Sequence, residues 1–417
     1  MMALIAELYP VCRSISGDGL RRTLEIIRRT IPLEIQEVAS GTPVLDWTIP
    51  REWNVQDAYV ANGRGERVID FRQSNLHLVG YSVPVRTRLQ LSELRPHLHT
   101  LPEYPDWIPY RTNYYSADWG FCLRHRDYLA LEDGEYEVVI DSSLTDGHLS
   151  YGELYLPGDE EDEVLLTTHA CHPSLCNDNL SGIAVLARLA QDLGAVRRRL
   201  SYRILFIPGT IGAITWLARN RDRVARIRHG LVLAGVGDRG AISYKRSRGG
   251  VAEIDRAVSL ILKSSGAEHR MRDFSPYGYD ERQFCSPGFD LPVGRFSRSE
   301  YGTYPEYHTS ADDLNFVSEA SLLDSYGTLR RILAVLEGNE TLVNQCPYGE
   351  PQLGRRGLYS VADNRLALLW VLNLSDGKHS LLDIAERAGL AFETVRDAAT
   401  TLSGAGLLMP QPRSITR

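Results

Sequence analysis

The strongest constraint on the fold is an alternation in the middle of the chain. Residues 163–168 (Glu-Val-Leu-Leu-Thr-Thr) and 202–207 (Tyr-Arg-Ile-Leu-Phe-Ile) are short runs of strand length. Between them, Ile183, Leu186, Leu189, Ala190 and Leu193 recur at helical spacing. A third strand is predicted at 230–234 and a further helix at 252–263. Strands alternating with helices build an α/β sheet with helices on its faces. Ligands in such sheets sit beyond the carboxyl ends of the strands. The segments after residues 168 and 207 are therefore where chemistry is expected.

The flanking regions differ in texture. Leu4, Leu8, Leu20, Leu24, Ile26, Ile27 and Ile31 suit two helices, broken at Ser16-Gly17-Asp18-Gly19. From about 46 to 150, Trp53, Val55, Tyr59, Val60, Val68, Ile69, Phe71, Tyr114, Tyr115, Trp119 and Phe121 alternate with turn residues such as Asn62-Gly63. This predicts a small antiparallel β domain. Residues 346–357 are dense in Gly and Pro and read as a linker. Beyond them, helices at 380–389 and 392–402 and an extended tail at 404–409 suggest a winged helix-turn-helix. The expected organisation is an α/β domain from 1–45 and 151–345, an inserted β domain at 46–150, and a linker with a winged unit at 346–417. No repeat recurs at a fixed period.

Charge narrows the function. The 417 residues carry 46 Lys and Arg against 53 Asp and Glu, a net charge of −7. Coating nucleic acid needs a basic footprint, which is absent. The second helix of the winged unit sets Glu393 and Asp397 against Arg396, so a packing or dimerisation module is favoured over a DNA reader. Arg355, Arg356, Arg413 and Arg417 leave weak phosphate contact open. No apolar run approaches 20 residues, so no membrane partner is expected. The first seven residues lack a basic leader, and the six cysteines (Cys12, Cys122, Cys171, Cys176, Cys285, Cys346) form no CxxC pair. A reducing, cytoplasmic setting is expected. The expected partner is a small molecule or short peptide; a homo-oligomer is left open.

Three strings carry ionisable groups. Residues 168–182 (Thr-His-Ala-Cys-His-Pro-Ser-Leu-Cys-Asn-Asp-Asn-Leu-Ser-Gly) hold two imidazoles, two thiols and a carboxylate between a predicted strand and helix. Zinc takes such donors. Asp178 also suits a helix N-cap, and His169 or His172 a core position. Residues 304–313 (Tyr-Pro-Glu-Tyr-His-Thr-Ser-Ala-Asp-Asp) add His308. If extended, they place Glu306 and His308 on one side; the other reading is a polar loop with a cap at Ser310 or Asp312. Residues 279–288 contain Asp280, Glu281 and Arg282, either a solvated loop or a carboxylate-gripping site. Arg298 and Glu300 invite the same two readings.

His169, Asp178-Asn179-Leu180-Ser181-Gly182 and Tyr307-His308-Thr309 resemble the zinc-dependent aminopeptidase superfamily with co-catalytic metals. Cys171 to Leu175, Asp280 to Gln283, Pro305 to Asp312 and Trp119 to Cys122 further resemble bacterial aminopeptidase-like proteins with an inserted β domain and a C-terminal winged helix-turn-helix. The resemblance implies a zinc-exopeptidase-like α/β sheet and makes His169, Asp178 and His308 the metal ligands. Three departures accompany it. Cys171 stands where the family has an orienting aspartate, Gly209 where it has a glutamate, and Ala234 where it has another aspartate. Asp238 reaches that last position only by a shifted register. One zinc ion is therefore favoured over two. With no carboxylate at 209, the base candidates are Glu306 and Glu281, then Asp238, and zinc-bound hydroxide would lessen the need for one. Asp280, Arg282, Arg298 and Tyr307 are expected to hold substrate, with the β domain as a roof. The expected function is zinc-dependent hydrolysis of an amide, in a peptide or an N-acyl metabolite. The alternatives are an impaired ligand-binding or regulatory protein and a zinc acyltransferase or cyclase.

Overall fold

The structure, a computed structural model, describes residues 1–358 and 365–411. Arg413 and Arg417 lie outside them. Eight strands make one sheet: β1 (Glu34–Ala39), β2 (His148–Leu156), β3 (Glu163–His169), β4 (Ser201–Ile207), β5 (Ile227–Leu233), β6 (Ile242–Lys245), β7 (His269–Arg272) and β8 (Val293–Ser297). Their order is β1-β2-β4-β3-β5-β8-β6-β7. The centre, β4-β3-β5-β8, is parallel; β2 joins β4, and β6 joins β8, antiparallel. Every residue of β3 and β4 is buried. That explains why these strands read as continuous runs rather than alternating ones.

β4 and β5 lie on opposite sides of β3, so the connections leaving β3 and β4 diverge and open a crevice at the carboxyl end. Four helices matter for the site: α1 (Met2–Leu8), α2 (Asp18–Arg28), α3 (Gly182–Gly194) after β3, and α4 (Ile211–Arg219) after β4. Leu20, Leu24 and Ile27 form the buried stripe of α2.

The segment between β1 and β2 contains a four-stranded antiparallel sheet of Arg67–Asp70, Glu52–Ala61, Glu135–Thr145 and Val85–Gln90, in that order. Its long connection returns to the crevice. Pro109 bridges Thr309, Tyr110 N–H donates to His308 O at 2.8 Å, and Ser310 N–H donates to Ile108 O at 2.8 Å. The inserted domain is thus stitched to the segment that carries His308.

The chain forms two compact units, Met1–Ala252 with Glu268–Tyr326, and Glu253–Ala267 with Gly327–Arg417. Helix Glu253–Ser265 interrupts the first unit in sequence. It belongs to the second unit, where Arg256 bonds Asp383 at 2.6 Å and also Glu386. That unit holds a three-stranded sheet (Asp376–Ser380, Thr341–Asn344, Leu408–Pro410) and helices Arg365–Leu374, Leu381–Ala388 and Phe392–Gly404. Ser380 and Asp383 form a capping box, and Gly389 ends the helix at φ 65°. Among the described residues, no helix is long and apolar enough to cross a membrane.

Candidate functional site

β3 ends at His169, whose Nε2 lies 2.8 Å from Asp178 Oδ1. His308 Nε2 lies 3.0 Å from Asp178 Oδ2. One carboxylate therefore joins two imidazoles from distant segments. His172 completes the group: one donor atom each from His169, His172 and Asp178 lie within 4.8 Å of one another. Its ring centroid is 4.9 Å from that of His169 and 5.2 Å from that of His308.

The Asp178 side chain is 0% exposed while that of His308 is 33% exposed, so the opening lies on the His308 side. Burial alone would raise the Asp178 carboxyl, but the imidazoles of His172, His169 and His308 hold it well below the usual range. Burial pushes His172 down to about 3, which keeps it a neutral donor at physiological pH.

The Asp178 loop is held in place by its neighbours in space. Asp312 Oδ1 accepts the N–H of Asn177 at 2.6 Å, and Oδ2 accepts the N–H of Asp178 at 2.9 Å. Burial pushes the Asp312 carboxyl up to about 8, against those two donors. Asn177 Nδ2 donates to Asp238 Oδ2 at 2.8 Å, and its Oδ1 accepts Gly237 N–H at 2.9 Å. Asn179 Nδ2 donates to Thr168 Oγ1 at 2.7 Å, and its Oδ1 accepts Gly235 N–H at 3.1 Å. The Asn-Asp-Asn-Leu-Ser string is therefore a clasp onto the end of β5 that points the Asp178 carboxylate at His169 and His308, while Asn179 Nδ2 lies 3.2 Å from the other ring nitrogen of His169, Nδ1. Asp178 caps no helix; α3 starts at Gly182 with Ser181 before it. Behind the loop, buried Arg13 donates to His172 O at 2.9 Å and Thr23 Oγ1 at 3.0 Å.

Aromatic rings surround the cluster. Tyr279 stacks on His169 at 5.1 Å, and Tyr307 stacks on His308 at 4.0 Å. Tyr110, from the inserted domain, meets His172 edge-on at 5.2 Å and His308 at 5.1 Å. Burial raises the phenols of Tyr110, Tyr279 and Tyr307, so they remain O–H donors.

Several expected site residues fall elsewhere. Glu281 is buried in an ion pair with Lys245, Oε1 to Nζ 2.7 Å. Arg298 donates to Gly240 O at 2.8 Å and Asp324 Oδ2 at 2.8 Å, and so clamps a loop rather than a substrate. Residues 304–313 are turns, not strand: Thr309 N–H donates to Glu306 O at 3.1 Å, and His308 sits at φ 57°. The polar-loop alternative is the one seen, so Glu306 and His308 share no strand face, and the Glu306 carboxylate bonds none of the cluster among the described residues. Asp238 gives its oxygens to Asn177, Gly240 N–H (2.6 Å) and Ser299 Oγ (2.7 Å), so it replaces nothing at Ala234. Asp280 Oδ1 accepts Thr210 N–H at 2.6 Å, and Arg282 reaches Thr210 Oγ1 at 3.4 Å. His172 was visible as a donor but sat outside the expected ligand set. Tyr110 had no local signal, because its role depends on where the inserted domain returns.

The donor set, two imidazoles and a carboxylate within 4.8 Å of one another with His308 bonded to the same carboxylate, is chemistry that zinc takes. The fold agrees. A zinc aminopeptidase from Bacillus subtilis matches with a TM-score of 0.59 at 12% identity, over 80% of this chain and 94% of that one. A Shewanella amazonensis M28 peptidase precursor matches with a TM-score of 0.56 at 10% identity, over 81% and 92%. The class is therefore a zinc-aminopeptidase-like α/β fold with an inserted β domain and a winged helix-turn-helix. More specifically, residues 2–339 match the family described as "Domain of unknown function (DUF4910)", and residues 340–410 match a winged helix-turn-helix. The chain belongs to that DUF4910 family. A Clostridium acetobutylicum protein, provisionally named for polysaccharide biosynthesis with an aminopeptidase-like domain, is 52% identical over 412 residues, 97% of this chain and 95% of its own. A crystal structure from the same organism, provisionally named a peptidase, matches with a TM-score of 0.95 at 52% identity, over 98% and 95%.

Proposed function

We propose that the protein is a metal-dependent hydrolase of a small amide, with zinc held by His169, Asp178 and His308 and His172 as a fourth donor. The observation that carries this reading is Asp178, buried and bonded through both oxygens to two imidazoles. Zinc there would polarise the amide carbonyl and lower the pKa of a water toward 7. The chain's own part is orientation. Tyr279 and Tyr307 fix the imidazole planes, Asp312 fixes the Asp178 backbone, and the Tyr110 segment narrows access.

The reading extends to an N-acyl group on a sugar. Tyrosine faces suit a saccharide ring, and the Clostridium relative's name refers to polysaccharide biosynthesis. The winged unit fits a protein-contact module, because Arg396 is paired with Asp397 at 3.4 Å. A second reading, ligand binding without turnover, is favoured by Gly209 and Ala234, which carry no carboxylate.

Elemental analysis of the purified chain tests the main reading. About one zinc per chain, lost in His308→Ala and Asp178→Ala, is expected. No zinc after incubation with the metal would overturn it and leave the binding reading. Release of free amine from N-acetyl amino sugars and from aminoacyl anilides then separates the two amide classes.

A further inference from the structure

Position 209 faces the cluster with no side chain. A Cβ built on Gly209 would lie 3.4 Å from Cys171 Sγ and 3.7 Å from His169 Cβ, with nothing else within 4 Å. A Cβ there would therefore sit beside His169 in ordinary contact. Asp280 reaches the same place from another segment. The N–H of Thr210, the next residue, donates to Asp280 Oδ1 at 2.6 Å. Thr210 holds φ 62°, a rare value for a β-branched residue, while it does so. Tyr279, one residue before Asp280, stacks on His169 at 5.1 Å. Asp280 is 2% exposed, and its Oδ2 accepts no hydrogen bond among the described residues.

We propose that Asp280 supplies the carboxylate absent from position 209 and is the proton acceptor for the attacking water. This rests on the metal-site reading above. Water loses one proton to Asp280 Oδ2 as its oxygen bonds the amide carbon. The C–N bond then breaks, and the nitrogen leaves with that proton, returning Asp280 to the carboxylate. Burial pushes the Asp280 carboxyl up to about 6, against the opposing pull of His169. It is then ionised at neutral pH but basic enough to accept a proton. Glu281, the neighbouring carboxylate, is neutralised by Lys245 through Oε1 and is 0% exposed.

Asp280→Asn separates this role from simple anchoring, since the amide oxygen still accepts the Thr210 N–H. The test loads the full chain with cobalt(II) and follows its visible absorption against pH, which reports ionisation of bound water. A nearby carboxylate opposes hydroxide formation, so removing it should lower the midpoint by about one pH unit at unchanged cobalt stoichiometry. Gly209→Glu added to Asp280→Asn should restore the midpoint. Gly209→Glu alone, which leaves Asp280 in place, should raise it. An unchanged midpoint in fully loaded Asp280→Asn overturns the proposal and leaves the metal reading intact. Loss of cobalt from folded Asp280→Asn also overturns it, because Asp280 would then be a ligand. If the unsubstituted chain binds no cobalt, the metal reading fails and takes this proposal with it.

Discussion

β3 and β4 are parallel neighbours that end level with each other, His169 opposite Ile207. The loop after β3 carries His169, Cys171, His172 and Asp178, while the loop after β4 is Pro208-Gly209-Thr210, without an ionisable group. The β3 loop is held at many points: Asp312, Asn177, Asn179 and Arg13 all bind its backbone or its flanks. The β4 loop is held by Asp280 on Thr210 N–H, Cys171 Sγ on Gly209 N–H at 3.2 Å, and Arg282 on Thr210 Oγ1 at 3.4 Å. A position that must present a charged ligand in a buried place requires neighbours that fix it. A position without one tolerates a lighter frame.

Substitutions that break this contrast should rank accordingly. The largest effect is expected from Asp178→Ala, which removes the carboxylate shared by two imidazoles. Zinc affinity measured by chelator competition should fall by more than ~100-fold, beyond the 10- to 100-fold typical of outer partners. Asp312→Ala comes next, because it leaves the buried N–H groups of Asn177 and Asp178 without acceptors. Urea unfolding should show a loss of about 2–4 kcal/mol. For His172→Ala, zinc affinity should drop about 10- to 100-fold with little change in unfolding free energy. An unchanged affinity would remove His172 from the ligand set. At the small end stands Gly209→Ala. Its new Cβ meets only ordinary contacts at 3.4 and 3.7 Å. Stability should move by less than ~0.5 kcal/mol and zinc affinity should not change. A larger loss would show that the β4 loop is as constrained as the β3 loop.

Much of the architecture was legible because its causes are local. The buried runs of β3 and β4, the helical spacing of α3, and the Ser380–Asp383 box with Gly389 each follow from a few adjacent residues. For residues 304–313 the sequence left an extended segment and a polar loop both open; the structure has turns, with Thr309 N–H bonded to Glu306 O and Pro109 of the inserted domain bridging Thr309. Helix Glu253–Ser265 was legible as a helix, while its grouping with residues 327–417 was not. Periodicity shows that a helix has an apolar face, not which surface covers it.

The same division runs through the site. The sequence by itself determined the donor types and where they cluster: imidazole at the end of a strand, carboxylate nine residues later, and a second imidazole near the end of the α/β domain. Only the tertiary structure decided which carboxylates remain available. Glu281 is fully buried and neutralised by Lys245 from β6 although its Oε2 has no partner, Asp238 is occupied by Asn177 and Ser299, Asp312 is turned onto backbone N–H groups, and Asp280 carries no ion pair and keeps one oxygen unbonded. A carboxylate's chemistry is set by the charges and donors within a few ångströms of it. Here those neighbours come from strands and loops far away in the chain.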